Sequence, residues 1–583
     1  MKKLATVLAI ILTVLLIAAI GLTVCANLLS FQPVAEDSAA TVQTEPLTEP
    51  ATEAPATEAP TELPTEPPTE PPTEPPTEPP TEPPFIASYA EGSDPANWNV
   101  QWDVIVNGEI VEDYTREEAI VFEDENYFAL PGVASFRGGN YRQDASYGTA
   151  EVNNGTITQI WRKSVGYLDK PEWGGCCWTG QPLVVQWDAE TRAIMNLFEE
   201  KKAKEGLTEV IYAKADGYVH FFDIEDGSPT RDPIFVGMVF KGSGAIDPRG
   251  YPILYVGSGI TRGNKYQTMF AVSLIDGSIL HEWSGYHSLA HRWWFAFDGA
   301  PLVDAETDTL IWAGESGLLY TIKLNTHYDN IAGTLSMEPD SPVISRYRDK
   351  YTNQGRWPGY EASVTAARNF LFIGDNAGMF QCIDVNTMDI VWVQDLKDDV
   401  NATAVFEWGA DHNGYLYTAP STDYVPSHAG LPITKLDAQT GEIIWQHEMD
   451  CVNITDLPGG ALSSPLLGRA GTELENLIIF SIGRSPNAYA GQVVALDKET
   501  GEVVWQFETD NYMWSSPVAL YTDEGKGYIF QADASGNCYL LDGMTGEQVG
   551  YLYLGSTVES SPIVFGNRVV LGTRSYMYLF EII

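Results

Sequence analysis

Short apolar runs that end in polar turns recur along most of the chain. In residues 495–505, an apolar run meets an Asp-x-x-Thr-Gly turn, and the strand Val503-Val504-Trp505 follows. The Asp can accept hydrogen bonds from backbone N–H groups just ahead of it, and the Gly can adopt a positive φ. The pattern therefore predicts a β-hairpin whose tryptophan packs against a neighbouring unit.

This corner occurs eight times, at intervals of roughly 45 to 70 residues, which is the range of propeller blades and solenoid repeats. The copies begin at Asn153, Asp223, Asp276, Asn325, Asp384, Asp437, Asp497 and Asp542. Five of them lead to a tryptophan seven or eight residues later, and the copy at Asn325 is degraded. The repetition predicts one large all-β domain rather than several unrelated ones.

A second motif alternates with the first and opens an apolar strand. Ser-Ser-Pro occurs at 463–465, 515–517 and 560–562. Weaker versions occur at 181–182, 243–245, 299–301, 361–363 and 402–404. Small residues suit a strand crowded against its counterparts around an axis, and proline is tolerated at the first residue of a strand. We therefore expect these strands to be the innermost of each repeat.

These motifs resemble the repeat of the PQQ-type, quinoprotein-dehydrogenase-like β-propellers, Ala-x-Asp-x-x-Thr-Gly-x-x-x-Trp. The resemblance covers residues 132–583, and residues 135–140 are similar to the Phe-Arg-Gly-Asn segment before the first blade. It implies an eight-bladed β-propeller of four-stranded antiparallel blades, with seven blades as the alternative. The strand at 156–161 is expected to complete the last blade beside 576–580, which leaves no open edge in the ring.

The N-terminal 30 residues predict a membrane anchor or a signal segment. Lys2 and Lys3 precede the uncharged stretch 4–24, whose 21 residues can span a bilayer. A cleaved signal peptide ending near residues 24–26 is the alternative, and lipidation of Cys25 is a further one. Either way, the rest of the chain is expected to be extracytoplasmic, anchored in the cell membrane if the segment stays uncut.

Residues 31–84 predict a disordered linker, and residues 85–131 a small β cap. The linker ends in Thr-Glu-Pro-Pro repeats, which cannot bury apolar surface and favour polyproline II. In that conformation the 44 residues of the low-complexity stretch 41–84 extend to about 135 Å. It resembles the spacers that carry Gram-positive surface proteins through the cell wall, although a plain tether fits equally well. In the cap, Asn107-Gly108 predicts a hairpin turn.

The adjacent pair Cys176-Cys177, followed by Trp178, is a first candidate site. It lies in a glycine-rich connection expected at the axial funnel. The resemblance implies a role for the pair, because PQQ-dependent alcohol dehydrogenases place a disulfide between adjacent cysteines against the quinone. A tight turn of small residues is the alternative. The remaining cysteines of the extracytoplasmic part do not predict a disulfide framework.

Other connections of the same kind carry further candidates. Ligand-binding candidates are Lys241, Trp293, Trp294, Trp357 and Trp514, and calcium candidates are Asp298, Glu361, Asn401 and Glu559. Carboxylates and an amide oxygen suit Ca²⁺, and aromatic rings suit a flat ligand or a sugar. Polar groups at strand tips are also ordinary in propellers. No motif places calcium ligands residue by residue, and no c-type haem motif or zinc motif is present.

Charge and motifs together favour a binding protein over an enzyme. The net charge is −46, and the glutamates of the linker between residues 45 and 82 number only ten, so most of the excess lies elsewhere and nucleic acid is not expected as a partner. We expect a monomeric, surface-tethered binding or scaffold module without catalytic activity or cofactor. Its partner would be a protein, a peptide or a small molecule. The alternative is a PQQ- and calcium-dependent oxidoreductase acting on an alcohol or sugar.

Overall fold

Eight antiparallel sheets form a ring of blades around one axis, which confirms the predicted eight-bladed β-propeller. The computed structural model describes residues 85–123, 127–168, 174–176, 180–424, 428–454 and 458–583. The predicted membrane segment, the linker, Cys177 and Trp178 lie outside these residues. No helix in the described ranges combines the length and the apolar character needed to cross a membrane.

The strands follow one another in chain order with short turns between most of them. Their bounds are β1 Gln101–Val106, β2 Glu109–Val111, β3 Gly132–Val133, β4 Ser146–Tyr147, β5 Ile157–Ser164, β6 Leu183–Gln186, β7 Thr208–Ala213, β8 Tyr218–Asp223, β9 Ile234–Phe235, β10 Ala245–Ile246, β11 Ile253–Gly257, β12 Thr268–Ser273, β13 Ile279–Ser284, β14 Leu302–Asp304, β15 Thr309–Gly314, β16 Leu318–Lys323, β17 Thr326–Asp329, β18 Thr334–Met337, β19 Val343–Arg348, β20 Thr365–Ala367, β21 Phe370–Gly374, β22 Met379–Asp384, β23 Ile390–Asp395, β24 Val405–Trp408, β25 Gly414–Thr418, β26 His428–Asp437, β27 Ile443–Val452, β28 Leu466–Leu467, β29 Leu477–Gly483, β30 Gly491–Asp497, β31 Val503–Thr509, β32 Val518–Tyr521, β33 Gly527–Ala532, β34 Asn537–Asp542, β35 Gln548–Tyr553, β36 Ile563–Phe565, β37 Arg568–Gly572 and β38 Tyr576–Ile582. Two short helices, α1 Ala189–Ile194 and α2 Glu199–Lys202, lie between β6 and β7.

Blades one to eight begin at the inner strands β6, β10, β14, β20, β24, β28, β32 and β36. In blades one to seven the chain runs outward through four antiparallel strands and then crosses to the inner strand of the next blade, whereas blade eight takes its outermost strand, β5, from the N-terminal side. These crossings and the turns between second and third strands lie on one side of the ring, which we name the funnel face. The other turns, including the Asp-x-x-Thr-Gly corners, lie on the opposite side, the motif face.

The ring closes between the two ends of the propeller sequence, as predicted. β38 pairs antiparallel with β5, and Leu579 lies opposite Trp161. The N-terminal strands β3 and β4 add to the inner edges of blades one and eight. The hairpin β1–β2, which turns at Asn107-Gly108, pairs through β1 with β19 and so extends the sheet of blade three.

The repeated tryptophans join consecutive blades. In four of the five, the indole N–H donates to a backbone carbonyl in the corner turn of the next blade: Trp161 to Ile224 (3.1 Å), Trp392 to Ala438 (3.0 Å), Trp445 to Lys498 (3.1 Å) and Trp505 to Gly543 (2.9 Å). The glycine of the same turn faces the ring. A Cβ at Gly501 would lie 2.7 Å from the ring of Trp445, and the φ of Gly501 is +73°. The motif therefore requires glycine for two reasons: the backbone adopts a positive φ, and a Cβ would collide with the tryptophan ring.

A ring of hydroxyl groups joins the inner strands around the axis. Backbone N–H groups donate to a Ser or Thr hydroxyl of the next blade: Gln181 to Ser243 (2.7 Å), Ala300 to Ser363 (2.9 Å), Ser363 to Thr403 (2.9 Å), Thr403 to Ser464 (3.0 Å), Ser464 to Ser516 (3.1 Å) and Ser516 to Ser561 (3.2 Å). Ala300 and Gln181 have no hydroxyl and interrupt this hydroxyl ring, and the N–H of Ser561 donates instead to the carbonyl of Gly180 (3.2 Å). The second residue of each Ser-Ser-Pro motif thus has a specific structural role.

An N-terminal segment, residues 134–145, passes along the axis and ties the blades together. The buried guanidinium of Arg137 donates to the carbonyls of Pro517 (2.6 Å) and Pro465 (2.7 Å). Arg142 donates to Val364 (2.9 Å), on the other side of the ring. Burial lowers the pKa of both arginines to about 10, so both stay charged at neutral pH. Their partners are carbonyl dipoles, which solvate the two charges inside the ring.

We predict that Gly501→Ala destabilises the protein by at least about 2 kcal/mol, because it combines a left-handed backbone with overpacking against Trp445. Gly555 is the matched control. Its φ is +66°, but the nearest atom to an added Cβ is 3.8 Å away, so Gly555→Ala is expected to cost only about 1 kcal/mol. Urea unfolding measures both. Equal losses in the two variants would contradict a contact between Gly501 and the tryptophan.

Candidate functional site

In blades two to eight, one residue reaches the mouth of the axis from an equivalent position, two residues before the position that forms the hydroxyl ring. In blades two to eight these residues are Lys241, Asp298, Glu361, Asn401, Leu462, Trp514 and Glu559. Six of the seven were predicted as candidates from separate parts of the sequence. We name this set the mouth ring. Its polar members in blades two to five are consecutive, and its apolar members lie in blades six and seven.

Lys241 is the buried cation of the mouth ring. Its ammonium pairs with the carboxylate of Asp298 and lies 3.8 Å from Oε1 of Glu315. The ring of Trp294 covers it, with 5.8 Å between Nζ and the ring centroid. Burial alone would lower the pKa of Lys241, but the carboxylates of Asp298, Glu315 and Glu361 outweigh this effect and raise it. The lysine therefore stays protonated as an internal counter-ion.

Glu315 and Glu361 form a buried pair of carboxyl groups beside this cation. Burial is the main cause that raises the pKa of both, and the charge of Asp298 raises each further. The charge of Glu361 also raises the pKa of Glu315. Arg292, from the connection between blades two and three, brings Nη2 to 3.3 Å from Oε2 of Glu315. The pair is thus set to hold a proton between its oxygens.

A second acidic group continues the cluster into blade five. Asn376 and Asn401 each donate to one oxygen of Asp399, both at 2.9 Å. Burial, followed by a hydrogen bond with Asp423, raises the pKa of Asp399 well above its usual value. Side chains of four consecutive blades are therefore linked in one polar cluster at the axis.

The structure does not bring all predicted candidates to this cluster. Cys176 lies in the apolar core between blades eight and one, and its N–H donates to Thr573 (2.9 Å). Glu559 pairs with Arg574 at 2.8 Å. Trp514 is half-buried beside Tyr512, with ring centroids 5.8 Å apart. Trp293 and Trp357 are 76% and 46% exposed on the funnel face. Cys177 and Trp178 lie outside the described residues.

Four members of the mouth ring, Asp298, Glu361, Asn401 and Leu462, line a small cavity. Its volume is about 20 Å³, and its walls are Phe136, Gly180, Ser243, Asp298, Glu361, Ser363, Asn401, Thr403, Leu462, Ser464 and Ser516. Pockets that take cofactor-sized ligands usually measure about 300–1,000 Å³. The described walls therefore do not fit a quinone. Within the described part of the chain, no group of three or more His, Cys, Asp or Glu residues is arranged to hold a metal ion.

Sequence reasoning missed Glu315, Asn376, Arg292 and Asp399. Glu315 and Asn376 lie in turns between second and third strands, where Gly314-Glu-Ser-Gly and Gly374-Asp-Asn-Ala-Gly resemble each other. Aligning these turns between repeats would have placed both residues at the funnel face. Arg292 and Asp399 lie in irregular connections, where no repeat marks them.

We predict that the raised pKa values make the native state lose stability as pH rises above about 4.3, the usual pKa of glutamate. There the unfolded chain releases protons that the native state still holds, so the free energy of unfolding falls, by up to about 1.4 kcal/mol per pH unit for each such proton. Glu361→Gln removes one of these groups and should flatten the slope between pH 5 and 7. Urea titrations at several pH values give the slopes; parallel slopes would contradict the buried pair.

The comparisons with known proteins agree with this geometry. Residues 489–579 match the family model described as outer membrane protein assembly factor BamB. A β-alanine-activating enzyme of Danio rerio is 32% identical over 113 residues, and the chain spans only about a tenth of that relative. Quinohemoprotein alcohol dehydrogenases of Pseudomonas putida HK5 and Comamonas testosteroni are both 13% identical, each with a TM-score of 0.50. The alignments cover 77% and 79% of this chain and 80% and 81% of theirs.

At this identity the structural likeness shows the fold alone, and the named relatives include both an assembly factor and oxidoreductases. The predicted resemblance is nevertheless confirmed by the family model together with the structural neighbours. This chain is an eight-bladed β-propeller, and it is similar to propellers with PQQ-like repeats, most directly over residues 489–579.

Proposed function

We propose that this propeller is a non-catalytic binding or scaffold module whose partner docks on the funnel face. The observation that carries the proposal is the distribution of exposed aromatic side chains. Seven of them stand on connections of the funnel face around the mouth ring: Tyr167, Tyr266, Tyr286, Trp293, Trp357, Tyr424 and Tyr489. Tryptophan and tyrosine dominate the energetics of protein interfaces, and a rim of this kind suits a broad contact rather than a buried ligand.

One of these rings, Tyr424, and two half-buried tyrosines of the same face, Tyr351 and Tyr512, stack on arginines, which favours recognition by a preformed surface. The guanidinium of Arg356 lies 4.0 Å from the ring centroid of Tyr424 and 4.2 Å from that of Tyr351. Arg484 lies 4.3 Å from the ring centroid of Tyr512. Stacking of this kind already restricts the side chains in the unbound protein, so binding a partner costs less conformational entropy.

An extracytoplasmic, tethered location is part of the proposal. The described chain begins at Phe85, which packs on Trp408 with ring centroids 5.1 Å apart, and Ser88 donates to the carbonyl of Gln439. Both contacts lie on the motif face. The N-terminal end of the described propeller therefore lies on the side opposite the funnel face.

The second candidate function is a PQQ- and calcium-dependent oxidation of an alcohol or sugar. The fold that this chain shares with quinohemoprotein dehydrogenases favours it. The small cavity and the internal ion pair of Lys241 and Asp298 oppose it, because the described walls offer neither the volume for a quinone nor an uncompensated carboxylate cage.

We predict that a partner can be cross-linked from the funnel face and not from the motif face. A photoreactive phenylalanine analogue at position 293, where the native side chain is 76% exposed, should give a discrete adduct in intact native cells. The same analogue at position 331 is the control, because Ile331 is 93% exposed on the motif face. Trp357→Ala should weaken the adduct from position 293. Equal adducts from both positions would refute a dedicated funnel face.

We predict no quinone chemistry in the full chain. Calorimetric titration with PQQ in the presence of calcium should show no binding, and dye-linked assays with simple alcohols and aldoses no turnover. Micromolar binding that requires calcium and is lost in Cys176→Ser or Glu361→Gln would replace the binding proposal with the oxidoreductase.

A further inference from the structure

A second and much larger cavity opens on the motif face, beside the axis. Its volume is about 960 Å³, which lies within the range of pockets that take small organic ligands. The walls come mainly from the axial segment and from the motif-face turns of blades five and six, at 137–144, 407–410, 467–470, 475–476 and 498–499. We name this space the motif-face cavity. It has no part in the function proposed above.

The charges on the walls of the motif-face cavity are balanced. Its cations are Arg137, Arg142, Arg469 and Lys498, and its carboxylates are Asp144, Glu407, Glu475 and Glu499. Arg469 pairs with Asp144 at 3.0 Å, and Lys498 pairs with Glu407 at 2.7 Å. Net charge therefore favours neither a cation nor an anion in this space. The walls suit a neutral molecule whose groups both donate and accept hydrogen bonds.

The pair of Arg469 and Asp144 presents donors and an acceptor side by side. The guanidinium of Arg469 stacks on Tyr521, 4.3 Å from the ring centroid. Among the described residues only its Nη2 donates, to Asp144 and to Ser146 (2.9 Å), so the other nitrogens are left for a ligand. The buried Oδ1 of Asp144 accepts no hydrogen bond within the described part of the chain. Two adjacent hydroxyl groups, each of which can donate and accept, complement this arrangement.

Trp408 supplies an aromatic ring to the wall, and its position is fixed from two sides. Its indole N–H donates to the hydroxyl of Tyr141 (2.8 Å), and Phe85 packs edge to face on the ring. The side chain is nevertheless only half-buried. The negative face of an aromatic ring attracts the polarised C–H groups of a sugar ring. A fixed indole beside paired polar groups is therefore a surface on which a sugar ring can pack while its hydroxyls bind at the edges.

We propose that the motif-face cavity binds a neutral saccharide of two or three rings. Its hydroxyl groups bind Arg469, Asp144 and Lys498, and one sugar ring packs on Trp408. The ligand-sized volume, the balanced walls and the fixed aromatic ring together carry this inference. It goes beyond the proposed function, because it assigns a second site on the face opposite the aromatic rim.

The test titrates the full chain at pH 7 with maltotriose, cellotriose and chitotriose, followed by calorimetry. These neutral trisaccharides differ in the arrangement and substitution of their hydroxyl groups. We expect saturable binding of at least one of them, with a dissociation constant of about 10 µM to 1 mM. Arg469→Met keeps a stem that can pack on Tyr521 but removes the donors, so it should weaken this binding at least about tenfold.

Ala470→Trp is a second variant, which leaves every polar partner in place. Ala470 is exposed on the wall of the cavity, so an indole at this position fills the space from the surface and should abolish saccharide binding in a folded chain. Ala332→Trp is the matched control. Ala332 is also exposed on the motif face but lies outside the cavity, so this variant should bind as the native chain does.

Three outcomes would overturn the proposal. They are no saturable binding of any of the trisaccharides up to about 10 mM, unchanged binding in a folded Ala470→Trp chain, and saturation by inorganic phosphate or triglycine at lower concentration than by the tightest trisaccharide. The last would point to an anion site or a peptide site instead. Failure here would leave the cross-linking result, and with it the funnel-face function, standing.

Discussion

The contact between a tryptophan of one blade and the corner glycine of the next is the constraint on which this ring depends. A four-stranded blade on its own would expose apolar side chains to water, so it must bury them against the neighbouring blades. The indole fills the space that a missing Cβ leaves and donates its N–H to a carbonyl of the same turn. A local turn motif thereby becomes a device that sets the spacing between blades. Between blades four and seven this device occurs in every junction.

The axis is held by polar interactions rather than by an apolar core. The hydroxyl ring joins inner strands by side chain to backbone hydrogen bonds, and the two buried arginines of the axial segment donate to carbonyls on opposite sides. Such a frame fixes the height at which each connection leaves its strand. In blades two to eight, the position two residues earlier therefore faces the mouth, whatever residue occupies it. Function can vary at that position without altering the ring.

The sequence indicated most of the fold and part of the candidate site. Local turn chemistry predicts a corner from the motif residues Asp497, Thr500, Gly501 and Trp505. Counting such corners predicts the number of blades. Lys241, Asp298, Glu361 and Asn401 were identified because they directly precede recognisable inner strands. Glu315 and Asp399 were not, because their importance comes from burial beside other carboxyl groups, and no neighbour in the sequence shows it.

The sequence by itself determined the propeller, its eight repeats and the closure of the ring by its two ends. Hairpin turns and strand alternation are local properties, and their signals occur anew in each repeat. Only the tertiary structure decided that Lys241 neutralises Asp298, that Glu559 is paired with Arg574, and that Cys176 lies in an apolar core. It also limited the cavity at the mouth ring to a volume of about 20 Å³. Pairing, burial and volume arise where eight separate segments meet, and that meeting depends on the closed ring rather than on any one repeat.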